Sequence, residues 1–159
     1  MEPDYARTTT ATSLGGLPAA LREAMTAHAE ARMLTVDASA PAYLTHSRRL
    51  RKPGLLGRMT GSGDKDTEHL TAIALGSRDL LVCTHGEQRG TTVLSARLED
   101  VGINTLTLAP AGDGMSVSGF ATSVEGEARV ASYYVGLGAP DGDAAREALR
   151  EAVRAANAT

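Results

Sequence analysis

The stretch Asp143–Asn157, with the sequence DAAREALREAVRAAN, decides the fold because it reads as one amphipathic helix placed after a long series of strand-like segments. Its small and apolar residues recur three or four positions apart, which puts them on one helix face and the arginines and glutamates on the other. The apolar face comprises Ala145, Ala148, Leu149, Ala152, Val153 and Ala156. We therefore expect this helix to cover an apolar surface that the strands leave open.

Seven strand-like segments precede this helix. They alternate apolar and polar residues or form short apolar runs, and turn residues such as Gly76, Gly112 and Gly126 separate them. We predict strands at 42–50, 68–75, 79–85, 91–97, 102–109, 114–121 and 127–137. Because most connections have hairpin length, the sequence predicts a mainly β (α+β) protein with an antiparallel, bent sheet.

The region before the strands divides into two parts. Residues 1–13 are small, polar and rich in threonine, so we expect a disordered tail. Leu17, Leu21 and Met25 recur at helical spacing after Pro18, which predicts an N-terminal helix to about Arg32 within a helix-and-linker segment 14–40. Residues 41–159 then form the main domain.

Two segments of the strand region resemble bacterial pleckstrin-homology-like (PH-like) domains. The segment Leu70–Val82 (LTAIALGSRDLLV), followed by Val93–Val101 (VLSARLEDV), is similar to the strand and turn cadence of that family. The resemblance covers about residues 41–157. It implies a PH-like seven-stranded antiparallel bent barrel capped by a C-terminal helix, to which this chain adds an N-terminal helix.

Composition sets limits on location and partners. The chain has 159 residues, 42% of them hydrophobic, and a net charge of −3, so nothing draws the whole molecule to nucleic acid. One cysteine, Cys83, excludes an internal disulfide, and its place in the apolar run Leu80–Cys83 predicts a core side chain. The first residues have no signal-peptide pattern and no apolar run approaches 18 residues. We expect a cytoplasmic protein without a cofactor.

One segment carries unusual charge. Residues 46–65 hold six basic side chains and one acidic one, Asp64. The basic residues are Arg48, Arg49, Arg51, Lys52, Arg58 and Lys65. They leave the first predicted strand and fill the loop to the second, where the resemblance to lipid-binding PH domains implies headgroup binding. Guanidinium groups suit phosphate because each donates two parallel hydrogen bonds. The same segment also fits a protein contact or a solvated loop.

Other patterns do not support a catalytic or metal site. The segment Gly136–Gly142 lies between a strand and a helix, but its glycine spacing differs from that of a dinucleotide-binding loop. Asp64 and Asp66 lack the turn glycine and closing glutamate of a calcium loop. The four histidines are dispersed, although His69 and His85 would face each other on suitably paired strands. No nucleophile elbow is present.

These observations predict a non-enzymatic module. The first expectation is a PH-like domain for protein association, most simply as a homo-oligomer that uses helical faces and sheet edges. The alternative is peripheral binding of anionic phosphate groups or lipid headgroups on a membrane surface through the basic 46–65 segment.

Overall fold

A computed structural model describes residues 5–50, 66–104 and 114–158. Among them, eight strands form two antiparallel sheets, and two α-helices pack on these sheets. The mainly β prediction is therefore confirmed. The described strands do not join into one closed barrel.

The larger sheet has five strands in sequence order. They are β1 (Tyr5–Ser13), β2 (Pro41–Arg49), β3 (Glu68–Leu75), β4 (Asp79–Gly86) and β5 (Gly90–Arg97). The smaller sheet contains β6 (Gly102–Asn104), β7 (Gly114–Val124) and β8 (Glu127–Gly136). Seven of these strands match the predicted segments, except that the predicted strand 102–109 extends into residues outside the described ones.

Strand β1 was not predicted. A disordered tail was expected for residues 1–13, but residues 5–13 form this strand, which pairs with β2 from Tyr5–Arg49 to Ser13–Pro41. Its outer edge is covered by the segment between β8 and the C-terminal helix: Thr9 N donates to Ala139 O (3.1 Å), and Asp141 N donates to Thr9 O (3.0 Å). The Asp141 carboxylate also accepts from Ala11 N at 2.8 Å. Hydrogen bonds on both sides explain why so polar a segment forms a strand.

The helices lie on opposite faces of the five-stranded sheet. Helix α1 (Ala19–Ala31) packs Leu21, Met25 and Ala29 against one face, here called the α1 face. Helix α2 (Gly142–Asn157) packs Ala145 and Leu149 against the other, here called the α2 face. Both predicted helices are confirmed.

The core between the two sheets surrounds α2. Ile73, Leu80 and Val82 on the α2 face join Phe120 and Val135 of the smaller sheet in one buried cluster. Since side chains alternate along a strand, this arrangement fixes which residues of β1–β5 share the α2 face. His69 lies on it, whereas His85 lies opposite Leu70 and so belongs to the α1 face. The expectation that these two histidines face each other is wrong.

Candidate functional site

A row of threonines crosses the α2 face of the five-stranded sheet, with one residue from each strand. Successive residues in this row are direct cross-strand partners. From β1 to β5 they are Thr9, Thr45, Thr71, Thr84 and Thr92. The first three are buried, and exposure increases toward β5. The row separates an apolar half of the face, under α2, from a polar half.

Hydrogen bonds saturate the buried end of this threonine row. Thr9 Oγ1 lies 2.8 Å from Thr45 Oγ1. It also accepts a hydrogen bond from Gly138 N at 2.9 Å. The buried Thr9 hydroxyl group thus links β1, β2 and the segment that leads into α2. Its hydrogen bonds satisfy polar groups whose burial without partners would be energetically costly.

Beyond the threonines, the α2 face carries a group of polar and aromatic residues that we call the polar end. It consists of Tyr5, Arg7, Ser47, Arg49 and His69. Ser47 pairs with both Arg7 and His69 across the sheet, and Tyr5 pairs with Arg49. Ser47 is buried and the other four side chains are half-buried. Two guanidinium groups from neighbouring strands therefore share a partly desolvated surface.

The aromatic ring of Tyr5 organises this group. The Arg7 guanidinium carbon lies 5.0 Å from the ring centroid, within cation–π range. The His69 ring meets the Tyr5 ring edge-on, with centroids 5.7 Å apart. Gly136 and Gly138 make room for Arg7, since a Cβ atom on Gly136 would lie 2.1 Å from Arg7 Nε and one on Gly138 would lie 2.1 Å from Arg7 O.

Asp66 anchors the chain where it returns from the basic segment. Its buried carboxylate accepts hydrogen bonds from Gln88 N (2.7 Å), Arg89 N (3.1 Å) and Arg89 Nε (3.2 Å) in the β4–β5 turn. The Gln88 hydrogen bond, with those from Arg89, lowers the pKa of Asp66, against the opposing effect of burial. Arg49 donates to Asp66 O at 3.2 Å. Both ends of the basic segment are therefore tied together beside the polar end.

The predicted basic residues are only partly located by the structure. Arg49 lies on the α2 face within the polar end, whereas Arg48 is exposed on the other face, opposite Ala6 and Glu68. The remaining candidates, Arg51, Lys52, Arg58 and Lys65, lie outside the described residues.

Sequence reasoning missed four members of the polar end: Tyr5, Arg7, Ser47 and His69. The first two lie in the segment that was expected to be disordered. The β-branched threonines of that segment were a signal for a strand, and alternation along it would have placed Tyr5, Arg7 and Thr9 on one face.

The other sequence candidates contribute to packing. The Gly136–Gly142 segment lies along the edge of β1. Cys83 is buried, and burial raises the pKa of its thiol to about 11, which disfavours the reactive thiolate. No group of three or more histidine, cysteine or acidic residues suited to a metal ion occurs within 5–50, 66–104 and 114–158.

A histidine–serine contact lies on the α1 face. His28 Nε2 of α1 is 2.8 Å from Ser95 Oγ of β5, and both side chains are half-buried. Burial, with a smaller effect of the nearby Arg32, lowers the pKa of His28, which favours a neutral imidazole. Within the described part of the chain, no carboxylate hydrogen-bonds to His28, as a catalytic triad would require. The contact joins α1 to β5.

Two adjoining clefts lie at the opposite end of the five-stranded sheet from the polar end. They have volumes of about 760 and 650 Å³ and share Thr35, Ser77 and Ala155 in their walls. Basic and acidic side chains are mixed along them. The basic ones are Arg32, Arg78 and Arg97, and the acidic ones are Asp37, Asp79, Glu99 and Glu151. This mixture selects no charge class of ligand.

Comparison with protein-family models, with curated proteins and with solved structures finds no match to this chain. Among the described residues, neither helix combines the length and the apolar character needed to cross a membrane.

Proposed function

We propose that this protein is a non-enzymatic, PH-like, cytoplasmic module that binds anionic phosphate groups at the polar end. One observation carries the proposal: Arg7 and Arg49, from adjacent strands, flank Ser47 at the strand end from which the basic segment departs. Residues 51–65, which follow β2 in the sequence, contain four further basic residues.

The chemistry of the polar end suits phosphate. Each guanidinium group presents paired N–H donors that match two phosphate oxygens, and the half-buried His69 imidazole offers a further hydrogen bond. Half-burial strengthens these interactions, because the effective dielectric constant near a protein surface is below that of water. Stacking on Tyr5 restrains the Arg7 side chain, which reduces the entropy lost when a ligand binds.

The order of the strands supports the PH-like part of the proposal. Strands β2–β5 form one antiparallel group, β6–β8 form a second, and α2 follows them. This is the order that the resemblance of Leu70–Val82 and Val93–Val101 implies. Strand β1 is then an addition at the edge of the first group, and it brings Arg7 to the site.

Vesicle sedimentation tests the proposal, with phosphatidylcholine vesicles that do or do not contain phosphatidylinositol phosphate. We expect binding only to the phosphoinositide vesicles, and a decrease of about tenfold or more in affinity for Arg7→Ala or Arg49→Ala, since a hydrogen bond to a charged group contributes about 1.5–3 kcal/mol. Arg48→Ala is the matched control, because Arg48 is adjacent in sequence but lies on the other face.

A soluble probe separates a free phosphate ligand from a membrane. Titration with inositol hexakisphosphate should show the same dependence on Arg7 and Arg49 if phosphate groups alone are recognised. Binding to vesicles but not to the soluble probe would assign the site to a bilayer surface. Failure to bind either probe, or equal losses for Arg48→Ala and Arg49→Ala, would refute the assignment of the site to the α2 face.

A further inference from the structure

The buried carboxylate of Asp66 is fixed on the turn between β4 and β5. It accepts hydrogen bonds from the backbone N–H groups of Gln88 (2.7 Å) and Arg89 (3.1 Å), and a third one from Arg89 Nε (3.2 Å). Both of its oxygen atoms take part, since Gln88 contacts Oδ1 and Arg89 contacts Oδ2. Charge-assisted hydrogen bonds of this kind hold a buried carboxylate in one position, so the backbone of Asp66 is also held relative to the turn.

The sequence of the turn leaves room for this carboxylate. Gly86, the last residue of β4, is buried and has no side chain. A Cβ atom on Gly86 would overlap the Asp66 carboxylate. Any other residue at position 86 would therefore displace the carboxylate from its hydrogen bonds, and glycine permits the close approach.

The segment that begins with Asp66 in turn holds Arg49. Arg49 Nη2 donates to Asp66 O at 3.2 Å, and Arg49 N donates to Thr67 O at 2.8 Å. A guanidinium group has five N–H donors, so one hydrogen bond to a carbonyl group orients it and is compatible with a bidentate contact to phosphate. A continuous series of contacts thus runs from the β4–β5 turn through Asp66 to one of the two arginines of the polar end.

We propose that Asp66 is a positioning residue for phosphate binding at the polar end, and that its anchored carboxylate holds the Arg49 guanidinium group in the orientation that binds the ligand. This role rests on the proposed function, because the orientation of Arg49 matters only if Arg49 contacts phosphate.

The proposed role has an effect opposite in sign to that of the charge of Asp66. Its lowered pKa keeps the carboxylate ionised at neutral pH, and a negative charge beside an anion site repels phosphate. Removal of the charge alone would therefore strengthen phosphate binding. Loss of the orientation of Arg49 would weaken it.

Titration with inositol hexakisphosphate at pH 7 separates these two effects, with phosphoinositide vesicles as the probe if only vesicles bind. Asp66→Ala should weaken binding by about fivefold to tenfold, because the guanidinium group is no longer oriented. Asp66→Asn removes the same charge but keeps one acceptor oxygen, so it should restore part of the affinity and weaken binding by about threefold. Glu68→Gln is the matched control, because it also removes one negative charge but lies opposite Arg48 on the other face. It should leave binding unchanged or tighter.

Two further variants test whether the effect passes through Arg49. Gly86→Ala keeps every charge and displaces the Asp66 carboxylate, so it should weaken binding about as much as Asp66→Ala. In an Arg49→Ala background, Asp66→Ala should cause no further loss, because the arginine that it positions is absent. General damage to the fold would instead add to the loss for Arg49→Ala.

The outcomes distinguish this role from the proposed function. Far-UV circular dichroism and thermal unfolding first establish that each variant is folded. Asp66→Ala and Asp66→Asn proteins that bind as tightly as the wild-type protein, or more tightly, would refute the positioning role, and so would losses that add to that of Arg49→Ala. The proposed function would stand in both cases if Arg7→Ala and Arg49→Ala lose affinity and Arg48→Ala does not. A wild-type protein that binds neither probe would refute the proposed function, and the role of Asp66 with it.

Discussion

Replacement of Thr9 by valine tests whether the threonine row holds β1 in the fold. Valine keeps the shape of the side chain but removes the hydroxyl group. In the structure, Thr9 is fully buried, and its Oγ1 contacts Thr45 Oγ1 at 2.8 Å and Gly138 N at 2.9 Å. The substitution therefore deprives the buried Thr45 hydroxyl group and the half-buried Gly138 N–H group of a partner at once.

The expected loss follows from these two hydrogen bonds. A polar group left without this partner costs about 1–3 kcal/mol when buried, so Thr9→Val should lower the free energy of unfolding by about 2–6 kcal/mol. Thr45→Val removes one of the two bonds and leaves the Gly138–Thr9 bond intact, so it should cost about half as much. The double variant should cost about 1 kcal/mol less than the sum of the single changes, because neither hydroxyl group is then left without the other.

Urea unfolding followed by far-UV circular dichroism measures these free energies without an added probe. We expect lower midpoints with an unchanged slope. Thr10→Val is the control, because Thr10 is the next residue of β1 but is exposed, and it should change stability by no more than about 0.5 kcal/mol. Equal effects of Thr9→Val and Thr10→Val would refute both the alternation along β1 and the role of the threonine row.

Three further predictions concern other parts of the fold. The pKa of the Asp66 carboxylate is lower in the folded protein than in the unfolded chain. Its stabilising contribution is therefore complete above the unfolded pKa of about 3.9 and is lost as the pH falls through the folded pKa. Asp66→Asn should remove this part of the acid sensitivity, as measured by pH-dependent thermal unfolding. Met33→Gly should raise the free energy of unfolding by about 0.5–1 kcal/mol in urea titrations, because Met33 is 91% exposed and has a left-handed φ of 55° after α1. Cys83 is buried, and burial raises the pKa of its thiol to about 11. At pH 8 it should therefore react with a thiol reagent only as fast as the protein opens. Rapid labelling of the native protein would contradict the burial of Cys83 in the core.

Local patterns were sufficient to predict most of the secondary structure. The alternation of Met115 and Val117 with serines predicts a strand with one buried face, and both residues are buried in β7. The apolar run Leu80–Cys83 predicts a central strand, and β4 lies between β3 and β5. These patterns succeed because each strand buries its own apolar residues. They do not reveal that β5 and β6 belong to different sheets, which depends on contacts between distant segments.

Strand β1 and the polar end could not be predicted in the same way. Tyr5, Arg7 and Thr9 form no apolar face, and the strand is stabilised by β2 and by the segment before α2, both far away in sequence. Arg49 was found because six basic residues cluster within one segment. Arg49 lies close to Arg7 because their strands pair. The composition of either segment alone could not predict this proximity.

The covering of β1 by the segment before α2 has a consequence for synthesis on the ribosome. Ala11 and its acceptor Asp141 are 130 residues apart, so this hydrogen bond on the outer side of β1 cannot form until residue 141 has been translated. Contacts of such long range are formed late and slow the search for the native state. The nascent N-terminal strand therefore depends on its own hydrophilic residues, above all its threonines, to remain free of premature association while the rest of the protein emerges.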